Sequence, residues 1–426
     1  MDCSIYCYAL LLVYRYTCFK TAKHRLYIMI NLSRTFSRIN PQIISLVMIS
    51  LLAHVTLSGG RVASSLYVLQ EGHSELVAGL TYGLYSLMPA LLSLYIGQWV
   101  DRVGPRLIMR LSLITIVLGL LLPALHLSLV SILMCAALSG LGFGGYILSA
   151  HVSVSQMKVA QDADRTALFG WLQMGTAVSA VLGPSFVGLL IDNGNFSIAY
   201  ACLALIVGGG LFWSFRASIL EGVRTAKDSK RSNIVQDVVK DPALRRIYLL
   251  SMAVYLAWDC FGFMIPVLGS ERGYSASAIG LVLSFFAAGT FIVRALLPWL
   301  SRKSTEWRTL CISCALAAVV FFLLPFADSL FLLTVLSLAF GLSAGVGHPN
   351  VLNLLLRTVS SNKSGEASGL RIMTGNLAGL LGTATCGAVT AAAGVLPVFM
   401  GIAAIMSVSS WQANRGQQKG AKNTEN

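Results

Sequence analysis

Hydrophobic residues run along this chain in long blocks separated by short polar connections. From Pro41 onward the pattern resolves into twelve apolar segments, at 42–69, 75–99, 106–125, 129–155, 165–190, 196–217, 246–269, 277–300, 307–326, 329–356, 366–393 and 395–412. Each is about as long as the roughly 20 residues that a helix needs to cross the hydrocarbon of a bilayer. The alternating segments of about ten residues that build an outer-membrane barrel do not occur. The first and tenth segments exceed a perpendicular crossing, which implies tilt or overhang into water. The expected fold class is an all-α integral membrane protein with twelve transmembrane helices.

Two regions fall outside this pattern. Residues 1–40 hold a short apolar run from Ala9 to Tyr14, followed by Arg15, Lys20, Lys23, Arg25, Arg34 and Arg38. The run is too short to span, and no convincing cleavage site follows it. It reads as a cytoplasmic tail or an over-extended start, with Met29 as the alternative beginning. Segment 218–245 is polar and charged, so it divides the spans into a bundle at 41–217 and a bundle at 246–412, with a tail at 413–426.

Composition strengthens the reading. Hydrophobic residues make up 56% of the 426 and charged residues 11%, against about 25% charged in an ordinary soluble domain. A soluble enzyme is excluded. Thirty-nine glycines suit helices packed closely in lipid. The net charge of +14 does not point to nucleic acid, because the basic residues sit in alternate connections. One set holds Arg102, Arg106 and Arg110; Lys158 and Arg165; Arg302, Lys303 and Arg308; and Arg357 and Lys363, together with the 216–246 stretch. The opposite set holds Glu71, Glu75, Asp192, Glu271 and Asp328, with Arg272 as its one basic residue. The positive-inside rule then predicts an inner-membrane protein with both termini cytoplasmic.

Chemistry-bearing motifs are few. Of nine cysteines, three lie in the first 18 residues and six in apolar segments, so no disulfide is expected. Cys311 and Cys314 have C-x-x-C spacing, but inside an apolar helix without further ligands, and no metal is expected. No phosphate-binding G-x-x-x-x-G-K-[ST] loop appears, so neither ATP nor another cofactor is expected. No set of nucleophile, base and orienting group stands out at a membrane edge.

The two bundles repeat each other at a shift of about 200 residues. Trp99 and Arg102 align with Trp299 and Arg302; Gly140 and Gly144 with Gly341 and Gly345; and Gly170, Gly183 and Gly188 with Gly369, Gly382 and Gly387. Parallel repeats with a binding site between them are a transporter architecture.

The loop after the second span reads Gly97-Gln98-Trp99-Val100-Asp101-Arg102-Val103-Gly104-Pro105-Arg106. It resembles the G-x-x-x-D-R-x-G-R-[RK] loop of the major facilitator superfamily, with Pro105 in place of the usual first arginine. With twelve spans and a six-plus-six repeat, the resemblance extends over residues 40–412. It implies two pseudo-symmetric six-helix bundles, transport by alternating access, and a cytoplasmic latch built from Gly97, Asp101, Arg102, Gly104 and Arg106. In the second copy Ser301 replaces the aspartate. In the fifth span Gly175, Gly183, Pro184 and Gly188 match in part the antiporter motif of the family's drug exporters, with Ser179 and Val187 at two of its glycine positions. Such a Gly-Pro pair also serves as a plain kink and packing point. Aligning the fourth span on Gly140 puts Ala136 where the family often has a proton-linked arginine, so that role is not carried over.

Charges inside a membrane need a reason, since each costs about 2.5–3.5 kcal/mol on insertion scales. Asp259 is the one acidic residue deep in a span, on a polar stripe with Tyr248, Ser251 and Tyr255. It is the expected proton-coupling residue. His54, Ser58, Arg61 and Ser65 share a face of the first span. Subtracting the repeat shift from Asp259 gives position 59, so Arg61 is expected at a similar depth, either paired with Asp259 or binding an anionic group. His54, Ser58, Arg61, Tyr255, His348, Asn350 and Asn353 are the expected lining of a solute cavity, with Tyr82, Tyr85 and Gln173 as weaker members. Arg294 is expected to snorkel at a helix end, and Glu366 and Arg371 to make gate or loop contacts. Together these features predict a monomeric secondary transporter of a small organic solute. Proton-coupled export is the first expectation, proton-coupled import the second and a non-transporting membrane sensor the third.

Overall fold

The computed structural model describes residues 41–157, 162–216, 234–360 and 363–425. The expected tail at 1–40 and the central-loop residues 217–233 lie outside them. Six helices come first: α1 (Pro41–Gln70), α2 (Glu75–Val103), α3 (Pro105–Leu125), α4 (Leu129–Gln156), α5 (Asp162–Asn193) and α6 (Phe196–Arg216). A short α7 (Ile234–Lys240) precedes α8 (Pro242–Glu271), α9 (Ala276–Lys303), α10 (Glu306–Leu323), α11 (Leu330–Thr358), α12 (Ser364–Ala393) and α13 (Val395–Glu425). All except α7 are long and apolar enough to cross a membrane, giving twelve spans.

The polar connections define the helix ends. Asp241 caps α8 by accepting from the Ala243 N–H at 2.8 Å, with Pro242 as first helical residue. Ser275, Thr305 and Ser329 cap α9, α10 and α11 in the same way. Gly72 and Gly273, one repeat shift apart, both turn the chain at positive φ (78° and 68°) between the first two spans of their bundles.

The glycine repeat corresponds to a repeat of packing. Added Cβ atoms on Gly140 and Gly341 would strike the backbones of Tyr85 on α2 and Phe286 on α9, respectively. Gly183 packs on Ser58 and Val55 of α1, and its mate Gly382 on Leu256 and Cys260 of α8. Gly188 meets Ala276 and Ser277 of α9, and Gly387 meets Glu75 and Leu76 of α2. Gly170 and Gly369 both have open space around them. Trp99 and Trp299 are both exposed, as aromatic side chains at a membrane interface are. Each aligned glycine pair therefore occupies equivalent positions in two pseudo-symmetric bundles.

Two features differ from expectation. The hydrophobic pattern ends the last span at 412, yet α13 continues to Glu425. Its extension packs: Ala413 is buried with Ile234, Leu244 and Leu310, and Gly416 lies against the Trp307 ring. The central segment is polar in sequence, yet α7 forms at its end. Asp237 of α7 accepts from Lys363, at the start of α12, at 2.5 Å.

Candidate functional site

The bundles meet along two seams, α5 with α9 and α2 with α12. In the first, Gly188 lies on Ala276, and Gly280 on Pro184 and Ser185. In the second, Gly79 and Gly83 lie on Thr383, and Gly387 on Glu75. Both seams are tight at the end of the molecule bearing Glu75, Asn193 and Ala276. A cavity of about 330 Å³ lies below them, within the usual range for small-molecule sites. Its lining runs from Pro184 and Leu283 near the seams to Gln173 and Arg294 nearer the opposite end. That end carries Arg102, Arg302 and Lys303.

An ion pair sits in this cavity region. Arg61 Nη1 of α1 donates to Asp259 Oδ1 of α8 at 3.1 Å, with side chains 17% and 9% exposed. Arg61 Nη2 donates to Ser86 Oγ at 2.8 Å. The guanidinium also lies over the Tyr82 ring at 4.9 Å. Gly379 on α12 leaves room for the Asp259 carboxylate, since a Cβ there would strike Oδ2. The buried pair thus joins the two bundles, with α12 packed tightly behind it.

The other expected site residues divide. His54 lines the cavity, edge-on to Phe143 at 5.5 Å. Ser58 lines it too, but its hydroxyl bonds to the His54 and Val55 carbonyls and faces Gly183, so it serves helix packing. Tyr255 and His348 stack edge-on at 4.4 Å behind the lining residue Trp258. Asn350 is buried, and its Nδ2 has no hydrogen-bond partner. Asn353 is exposed, and neither asparagine is among the lining residues. The line they share does not run along the cavity: Asn350 is buried, Asn353 is exposed, and Arg357 turns outward to Glu306 at 2.9 Å.

Two arginines need correction. Arg294 does not snorkel: it lines the cavity, with its guanidinium 5.8 Å from the Trp258 ring centroid. Arg371 is not at a loop but only 7% exposed, 5.6 Å from the Tyr255 ring centroid. Both were legible as charges within apolar segments; their proximity to basic connections disguised them. Ser86, Trp258 and Gly379 were also missed, since nothing local distinguishes them from packing residues.

The expected latch loop is a tight helix–helix connection. Gly104, at φ 94°, ends α2 and precedes Pro105 at the start of α3. Gly97 makes no close crossing here, as a Cβ there would meet only Leu148 at 3.6 Å. Arg102 is exposed. Arg106 is partly buried, and the side chain of Asp101 lies outside the described residues. In α5, Gly175 rests on Val47, and Gly183, Pro184 and Gly188 all face neighbouring helices. Among the described residues no group of three or more His, Cys, Asp or Glu is arranged to hold a metal.

Comparison with known proteins places this geometry. The profile of the Major Facilitator Superfamily matches residues 46–383. The mouse MFS-type transporter SLC18B1 is 24% identical over 296 residues, covering 65% of this chain and 62% of that protein. The purine ribonucleoside efflux pump NepI of Shigella sonnei is 22% identical over 237 residues, covering 55% and 58%. The chain thus spans about three fifths of the length of either relative. A crystal structure of the peptide transporter POT in complex with sulfate superimposes with a TM-score of 0.77 at 14% identity, covering 89% of this chain and 94% of that one.

Proposed function

The chain belongs to the major facilitator superfamily, and on that premise we propose that it exports a small organic solute in exchange for protons by alternating access. The observation that carries this reading is the Arg61–Asp259 pair, buried in the cavity region and joining the two bundles. A proton on Asp259 neutralises the carboxylate and releases Arg61, leaving Ser86 and Tyr82 as its remaining partners. Removing one member of a buried pair costs roughly 3–5 kcal/mol, enough to bias which end of the cavity is closed. Protonation and solute occupancy are thereby linked through one contact between the bundles.

The basic connections face the cytoplasm of an inner membrane in this reading. The cavity, sealed at the Glu75–Ala276 end, then faces inward, ready to load solute for export. The Gly97–Arg106 loop acts as the latch of the opposite state, in which the cytoplasmic end closes. The protein works as a monomer, with no cofactor and no nucleic-acid partner. Similarity to a protein named as an efflux pump and the partial antiporter motif of α5 both favour export.

The test is transport in proteoliposomes under an imposed pH gradient, with an entrapped pH dye and a panel of radiolabelled solutes. Solute movement against its gradient, coupled to proton movement in the opposite direction, is expected. Proton and solute moving together would establish an importer, and transport indifferent to the gradient would establish a facilitator.

A further inference from the structure

The cavity holds more positive charge than its own residues neutralise. Asp259 is taken by Arg61. Among the described residues Arg294 has no acidic partner, and its Nε makes a long contact, 3.4 Å, to the Gly345 carbonyl. Arg371 is more isolated: it is buried, and neither its Nε nor its Nη1 has a hydrogen-bond partner. A buried guanidinium without a counter-charge is unfavourable unless something else supplies the anion.

The two arginines bracket one row of rings. Arg371 lies 5.6 Å from the Tyr255 ring, and Tyr255 meets His348 at 4.4 Å. His348 meets Trp258 at 5.4 Å, and Trp258 lies 5.8 Å from the Arg294 guanidinium. Phe286 packs on the far edge of Trp258 at 4.8 Å and lines the cavity with it. The wall formed by α8, α9, α11 and α12 therefore offers one uncompensated cation, Arg294, beside an aromatic surface, with Arg371 buried behind it. On the α1 wall, by contrast, Arg61 is already paired with Asp259.

We propose that the solute is an amphipathic organic anion: an oxyanion group held by Arg294, with Arg371 adding positive charge from behind the lining, and a planar apolar body lying against Trp258 and Phe286. This rests on the reading of the cavity as the transport site and names its substrate class. A planar guanidinium fork matches a carboxylate or similar oxyanion in a way that a lysine ammonium does not, and flat rings stack on the aromatic surface. Binding would supply the counter-charge that Arg294 lacks.

The test measures binding to the purified full-length protein in detergent, by calorimetry and thermal shift. The probes are two matched series: benzoate, benzamide and benzylammonium; and 2-naphthoate, 2-naphthamide and 2-naphthylmethylammonium. In at least one series the carboxylate should bind ten-fold or more tightly than the amide, and the amine should not bind. Arg294→Gln should lower carboxylate affinity at least ten-fold and erase the preference over the amide, while Arg294→Lys should restore part of it. If a glutamine variant does not fold, the wild-type ranking alone decides. Equal binding of carboxylate and amide, preference for the amine, or no carboxylate binding in either series would overturn the proposal. No gradient is present in this assay, so its outcome is separate from whether protons drive transport.

Discussion

The two seams that close the cavity are built on the same glycine spacing but are held differently. Between α5 and α9 the contact is polar as well as tight. Asp192 accepts from the Ala276 and Ser277 N–H groups at 3.0 and 2.8 Å, capping α9 from the other bundle. Ser284 bonds to Ser185 at 2.7 Å and to the Val181 carbonyl at 2.5 Å. Between α2 and α12 the hydroxyls turn inward: Thr81 bonds to Val77 and Thr383 to Leu380, each within its own helix. What remains across that seam is backbone approach at Gly79, Gly83 and Gly387. The repeat position of Asp192, one shift of 199 on, is Ala391. Among the described residues both crossings keep close packing, and side-chain hydrogen bonds across the seam hold one of them. In the proposed alternating-access cycle the first seam is a latch that must break and the second a surface that slides.

The largest effect should come from filling the glycines that the seams share. Gly79→Ala and Gly188→Ala each place a methyl group against a facing backbone carbonyl, an overpacking cost of about 1–3 kcal/mol. Both should shift spin-label distances across the Glu75–Ala276 end towards separation, by similar amounts. If only one did, the seams would differ in packing as well as in bonding.

Asp192→Asn should come next. It removes a charged cap from α9, a loss of about 1–2 kcal/mol. Separation measured between labels on α5 and α9 should increase, while separation between α2 and α12 in otherwise folded protein changes less. Equal opening of both would show that the seams move as a rigid unit and that the latch is not local.

Smaller still is the comparison of single hydroxyls. Ser284→Ala should favour separation by about 1 kcal/mol. Thr383→Val should change it by less than about 0.5 kcal/mol, since its hydroxyl serves its own helix. Matching effects in the two variants would erase the distinction drawn here.

Much of this architecture is legible in the residues. Spans follow from the length of apolar runs, and the bundle symmetry from the order of aligned glycines. The placement of Arg61 near Asp259 follows from a repeat shift applied to a helix face. What stays hidden depends on tertiary direction. Helical spacing puts Asn350, Asn353 and Arg357 in line, but not which way that line faces once α11 packs on α9. Arg294 and Arg371 read as end charges because hydropathy records composition and not the tilt and depth of the crossing. Asp192 reads as a loop acid, because its partner is the start of a helix 84 residues away.

The central claim is that the Arg61–Asp259 contact converts a proton into a change of access. Its most direct measurement compares two activities of Asp259→Asn in the same proteoliposomes. The amide is nearly isosteric and, like the protonated acid, neutral, but it carries no transferable proton. Gradient-driven accumulation should fall at least a hundred-fold, while solute exchange without a gradient persists within about ten-fold of wild type, the first a loss of about 2.7 kcal/mol and the second of at most about 1.4 kcal/mol. Full gradient-driven accumulation by this variant would contradict the account and make Asp259 a structural residue.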